Sequence, residues 1–261
     1  MGQISMSRDV PSKNVISRAQ ARKAILARIA PELMKLNFLY KKGCCLWRVG
    51  NDSNDRTDVV EIRFLTVAER LNSKLPESTF SIKYGCYFHF VPSPFEHKIT
   101  HKIDNVITPD ETHCQIRSEL NRSIETSISQ KHSVSLWNLE CSVSEQQSII
   151  DDIMFELREQ ALPLFARFDN ISMLLDYLKQ ENGVGSGIGA PGSFARNYLI
   201  GFTLLKLGQY ASAENYLKMA KEFVDDSNRK NSKLLGAIDS NAPIFIQQRI
   251  LEQALLLVHA K

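Results

Sequence analysis

Apolar residues first recur at helical spacing. Ile25, Ile29, Leu33 and Leu36 would share one face of a helix, and Ser17 followed by Gln20 forms a capping box, which predicts an amphipathic helix over 18–37. Pro31 lacks an amide hydrogen and predicts a kink or break inside it. Alternation then takes over. Lys41, Lys42 and Gly43 make a turn, 44–49 reads as a short strand, and 50–57 as a polar loop. Val60, Ile62 and Phe64 alternate with Glu61 and Arg63, the pattern of a half-buried strand. The longest alternation sets Phe80, Ile82, Tyr84, Cys86, Phe88 and Phe90 against Ser81, Lys83, Gly85, Tyr87 and His89. Gly85 marks a bulge or a close backbone approach.

Residues 92–113, with three prolines and three histidines, read as a long loop. Short strands are expected over 114–117 and 134–143, and 118–132 carry no readable period. Ser144 and Gln147 form a second capping box, and Ile149, Ile150, Ile153 and Leu157 make the buried stripe of a helix ending near Pro163. Asp169 is placed to cap a further helix through Gln180. Five glycines fall within 183–192, the composition of a linker, and 194–207, 210–224 and 243–259 then read as helices. The order predicts an α+β fold: an N-terminal helix, an antiparallel sheet of four to five strands with helices on one face, and a helical C-terminal region. The expected division is a flexible basic arm (1–17), the α+β domain (18–182), the glycine-rich linker (183–193) and the helical region (194–261).

The helical region holds the most specific spacing. Gly201, Gly208, Tyr210, Ala213 and Ala220 fall at the small and aromatic positions of one tetratricopeptide repeat. Small residues at 201, 213 and 220 let two antiparallel helices approach closely, while Gly208 and Tyr210 are expected to close the turn and plug the groove. Asn197 stands where the repeat prefers Trp, and Asp225 where it closes with Pro. A single such hairpin reads equally as a partner-binding groove and as a helical buttress.

Composition narrows the class. In 261 residues, 43% hydrophobic and 23% charged, a folded protein is expected, and no run is long enough to span a membrane. The net charge of +3 does not by itself imply nucleic acid. Yet 1–42 carries nine basic residues against two acidic ones. Such a stretch can meet phosphates, with Arg18, Arg22 and Lys23 as the nucleic-acid candidates. No aromatic residue interleaves these charges before Phe38, which favours a solvated helix face. Five cysteines without a C-x-x-C pair, and an opening without an apolar signal core, predict reduced thiols in a cytoplasm. Met6 stands where a myristoylated terminus has Ser or Thr.

No complete catalytic set is visible. Gly185, Gly187 and Ala190 resemble a dinucleotide fingerprint, but they follow a helix and precede Pro191. His97 and His101 have ligand spacing only if helical, and they sit among prolines. Asp58, Glu61 and Arg63 read as charge alternation on a strand, since an arginine cannot serve as a base. Tyr87, His89, His113 and Arg117 would line one polar sheet surface if their strands pair, with Trp137 on a later strand. On a strand, Cys114 would share a face with Ile116 and point away from His113, which excludes direct activation of its thiol. No cofactor and no metal is read from the chain.

The segment 33–48, the strand 80–88, the block from His113 to Arg117, Trp137, and the run Leu162, Pro163, Leu164, Phe165 together resemble a bacterial domain-of-unknown-function family (four-three-zero-four) over roughly 18–180. The resemblance implies a small cytoplasmic bacterial protein, from a family found in places beside defence or conflict genes, and carries no established activity. The expected function is a non-catalytic interaction or adaptor protein of a bacterial defence or toxin–immunity system. It would bind a protein partner, as a complex subunit or homo-oligomer, with Tyr87, His89, His113, Arg117, Trp137 and Tyr210 as candidate contact residues. The alternatives are an enzyme or small-ligand binder on the sheet and a nucleic-acid binder through the basic N-terminal region.

Overall fold

The computed structural model describes residues 16–41, 46–51, 55–93, 102–103, 106–107, 109–122, 135–139, 141–180, 190–235 and 243–261. Helix α1 (Arg18–Lys35) opens with the expected capping box: Gln20 N donates to Ser17 Oγ, and Ser17 N to Gln20 Oε1. Its buried stripe is Ala21, Ile25, Ile29 and Leu33. The expected break at Pro31 does not occur. The ring lies inside a continuous helix and faces solvent, where a missing hydrogen bond costs least.

Strands β1 (Leu39–Lys41), β2 (Leu46–Asn51), β3 (Arg56–Phe64) and β4 (Phe80–Phe88) form an antiparallel meander, and β7 (Ile116–Glu119) pairs with the free edge of β4. The β3–β4 register sets Asp58 opposite Cys86, Val60 opposite Tyr84 and Ile62 opposite Ile82. Within the expected polar loop over 50–57, Gly50 and Asn51 pair with Thr57 and Arg56 as strand. A short helix α2 (Val67–Ser73), boxed by Thr66 and Glu69, joins β3 to β4 and buries no residue, so it lacks the apolar period that would announce it. Strands β5 (Lys102–Ile103) and β6 (Val106–Ile107) make a separate ladder within the expected loop.

The strand expected over 114–117 begins two residues later, after a 3₁₀ turn at Glu111–His113. Among the described residues of the strand expected over 134–143, one bridge joins Trp137 to Phe80, and Val143 already begins helix α3 (Val143–Glu156). Its capping box is Ser142 with Glu145, two residues before the expected pair. Pro163 does not end the helical run. A π-helical turn at Leu157–Ala161 leads straight into α4 (Leu162–Arg167), where Pro163 occupies the first turn and needs no amide donor. Asn170, not Asp169, caps α5 (Ile171–Lys179).

Helices α1 and α3 to α5 cover one face of the sheet, packing Ile25, Ile29, Ile153, Phe165 and Leu174 over Val60, Ile62, Phe80 and Ile82. Helices α6 (Phe194–Lys206), α7 (Tyr210–Leu235) and α8 (Pro243–His259) follow as an antiparallel series, and their apolar residues join the same core. The fold is α+β with a helical C-terminal region.

Candidate functional site

Side-chain chemistry concentrates in three places. The first lies under the sheet at the start of β3. Arg56 and Asp58 share the core-facing side of the strand, and both are buried. Arg56 Nη2 donates to Asp58 Oδ2 at 2.8 Å and to Asp169 Oδ1 at 3.1 Å, and Nε lies 2.8 Å from Asp58 Oδ1. Burial pushes the Asp58 carboxyl above its ordinary pKa in spite of the neighbouring guanidinium. Burial also opposes the charge on Arg56, but the carboxylate of Asp58 carries its pKa upward. Opposite Asp58, Cys86 is fully buried and its thiol is held well above the usual range by desolvation. Asp169 does not cap a helix. It ties the α4–α5 turn to the sheet.

The second place is the opposite face. There Val59, Tyr87 and Cys114 form a small buried cluster of their own. Thr57 Oγ1 lies 2.8 Å from His89 Nε2, and the rings of Tyr87 and His89 meet edge to face at 5.0 Å. Gly85 is the close approach its position in the strand suggested. A Cβ there would come within 2.8 Å of Cys114 Cβ and collide with the Ile116 carbonyl. Cys114 does not share a face with Ile116, as an unbroken strand would require. It precedes β7 and turns outward, while Ile116 joins the main core. Its thiol, too, is raised by burial, which removes it as a nucleophile at neutral pH. His113 Nδ1 lies 2.6 Å from Asp110 Oδ1. Burial pushes the Asp110 carboxyl up, and the hydrogen bond from Thr112 together with His113 more than offsets this, leaving it below its ordinary pKa.

Tyr87, His89 and Arg117 thus share the outer face, with His113 beside it on the 3₁₀ turn. Trp137 does not join them. It is buried in the main core with the Arg122 guanidinium 4.2 Å from its ring centroid. Asp58 and Glu61 stand on opposite faces and do not pair. Of the basic candidates, Arg18 lies over the Phe64 ring at 5.1 Å, Arg22 is half-buried and Lys23 is exposed. His97, His101, Cys44, Cys45 and most of the glycine-rich segment lie outside the described residues. Among the described residues, no three His, Cys, Asp or Glu side chains are grouped as a metal site needs.

The third place is the helical layer. Gly201 on α6 faces Leu217 on α7 so closely that a Cβ would lie 2.7 Å from a Leu217 methyl. Ala213, Leu217, Ala220 and Val224 are buried along the same seam, and Gly208 turns the chain at φ +72°. The spacing of small residues therefore builds the expected hairpin. Tyr210 does not plug it; the ring sits exposed at the start of α7.

Helix α6 is buried on every side from Arg196 to Leu204. Tyr198 Oη donates to the Pro92 carbonyl, Arg196 Nη1 to that of Gln180, and Lys206 pairs with Asp55. The inner helix of the hairpin is thereby occupied by its own domain. The run 198–205, in which Thr203 is the one polar side chain, is the sequence signal for this. What remains open is the outer side of α7 and α8, where Met219, Phe223, Leu256 and Leu257 are exposed. Met219 and Phe223 are one turn apart, and Phe223 stacks on Phe194 at 6.0 Å. No helix among the described residues is long and apolar enough to cross a membrane. Comparison with family models, curated proteins and solved structures yields no match for this chain.

Proposed function

We propose that the chain is a non-catalytic protein-interaction component, an adaptor or complex subunit that presents the outer side of its C-terminal helices to a protein partner. The supporting observation is the pair Met219 and Phe223, 47% and 55% exposed and one helical turn apart on the flank of α7, beside the buried seam of Ala213, Leu217, Ala220 and Val224. Large apolar side chains left together in solvent are characteristic of association surfaces. Burial holds the Cys86 and Cys114 thiols well above their ordinary range, which disfavours thiolate chemistry at these two positions near neutral pH. The resemblance of 18–180 to a bacterial family found beside defence genes supports a defence or toxin–immunity setting.

A photo-crosslinking residue placed at position 223 in native cells tests this reading. One discrete adduct is expected from position 223 and none from position 71, where Leu71 is more exposed still on α2. No adduct at 223, or the same smear from both positions, refutes it.

A second reading, a small-ligand binder, rests on the exposed His89 on the outer sheet face, which lies against the buried Thr57 hydroxyl and Tyr87 ring. A metabolite-library thermal-shift screen checks it. A hit whose shift disappears in His89→Ala supports it, and the absence of any such hit removes it.

A further inference from the structure

A row of charge crosses the outer face of the sheet. Glu61 of β3 stands opposite Lys83 of β4, and Lys83 stands opposite Glu119 of β7. The 3₁₀ turn at Glu111–His113 packs against β3 and β4. Its first amide, Glu111 N, donates to Glu61 Oε2 at 3.2 Å. The Glu111 side chain is buried with it, the residue being only 5% exposed. Cys114 continues the turn into the buried cluster with Val59 and Tyr87, against Gly85. Seating this one turn therefore takes two carboxyl groups out of water, one on the turn and one on the strand beneath it.

The surrounding charges do not make up for that loss. Burial raises the Glu61 carboxyl above its ordinary pKa, and Asp110 and Glu111 add to the effect, against the Glu111 amide and Arg63. Burial also raises Glu111, with Asp110 adding to it, in spite of Lys83, Arg117 and Arg63. Arg63 is shared with Glu69 of α2, at 3.4 Å. On β2, Arg48 stands by register opposite Val59, two residues along from the partner of Glu61. The arginines keep their protons throughout the range concerned. Asp110, held below its ordinary pKa and paired with His113 within the turn, stays ionised there.

We propose that segment 111–114 is a proton-operated strap, seated on the outer sheet face more firmly in mildly acidic solution than near neutrality and loosening over Tyr87 as Glu61 and Glu111 ionise. The sign follows from linkage. The seated turn holds protons that the lifted turn releases, because lifting returns both carboxyls to water. Below the ordinary carboxyl pKa this contribution to seating is fully present, and it is lost as pH rises through the raised values of the seated turn. The strap does not depend on the surface proposed for α7.

Hydrogen exchange of the full chain tests this between about pH 4.5 and 7.5, read by mass spectrometry on a peptide spanning 109–115 and scaled at each pH to the intrinsic exchange rate. That peptide carries the amides of Glu111, His113, Cys114 and Gln115, bonded to Glu61, Asp110, Glu111 and Cys86. Its protection is expected to fall severalfold as pH rises, while a peptide over 198–204 in α6 stays constant. The double change Glu61→Gln with Glu111→Gln keeps shape and acceptor and removes the titration, and it is expected to abolish the slope. His113→Asn is expected to keep it. A flat wild-type profile, a slope that survives the double change or disappears in His113→Asn, or an equal slope over 198–204 would overturn the proposal.

Discussion

Arg56 and Asp58 stand two residues apart on one strand and meet side by side beneath the sheet, with the guanidinium Nη2 2.8 Å from the carboxylate. The pleat that aims them in the same direction also buries them together, so each is the other's main compensation for lost water. Removing one partner strands a charge. Asp58→Ala is expected to cost about 3–5 kcal/mol in urea unfolding, as buried pairs do when broken. Asp169→Ala, whose carboxylate is 62% exposed, is expected to cost less than about 1 kcal/mol. The double change Arg56→Met with Asp58→Leu should return close to wild-type stability. Equal losses for Asp58→Ala and Asp169→Ala would refute this ranking.

The helical hairpin makes a second set of expectations. Gly201→Ala forces a methyl group against Leu217 and is expected to cost about 1–3 kcal/mol, as overpacking does. Gly208→Ala meets no neighbour but places a side chain at φ +72°, with a cost of about 1 kcal/mol. Denaturant midpoints compare the two directly. A larger loss at position 208 than at 201 would show that the turn, and not the seam, sets the limit.

The buried thiols give a pH dependence with a definite sign. Burial raises both the Cys86 and the Cys114 thiol well above the ordinary thiol pKa. Below that value both states keep their protons, and this contribution to stability is fully present. Above it the unfolded chain ionises while the folded thiols do not, so stability falls as pH rises towards the folded pKa. Each thiol adds a slope of up to about 1.4 kcal/mol per pH unit in that alkaline window. Cys86→Ala should flatten the alkaline limb of the stability profile relative to wild type. Parallel profiles between pH 8 and 10 would contradict the assigned burial.

Much of this molecule is legible in its residues, and the failures have physical causes. The alternation of β3 and β4 and the spacing of Gly201, Ala213 and Ala220 survive folding because each is enforced by one local geometry. Parity fails at Cys114, since a 3₁₀ turn before β7 breaks the strand count that fixes which way a side chain points. Asp169 and Asn170 are equally good caps on paper, and only the distant Arg56 decides between them. Helix α2 escapes because it buries nothing. Among the candidate contact residues, Trp137 reads as a rim aromatic but is buried by its bridge to Phe80. Phe223 is 55% exposed on α7 while its ring stacks on Phe194, a contact between helices that spacing within one helix does not show.

The mass of the complex purified from native cells, taken for wild type and for Met219→Lys with Phe223→Glu, bears most directly on the proposed role. Both positions are about half exposed and Phe223 gives up its stack on Phe194, so the melting temperature is expected to fall by no more than a few degrees. Wild type should elute above the 29.6 kDa of a single chain with a partner in fixed proportion, and the double variant should elute alone. A wild-type chain that elutes alone, or a variant that keeps the same partner in the same proportion, would contradict the assignment of the outer face of α7 as the surface that the protein uses.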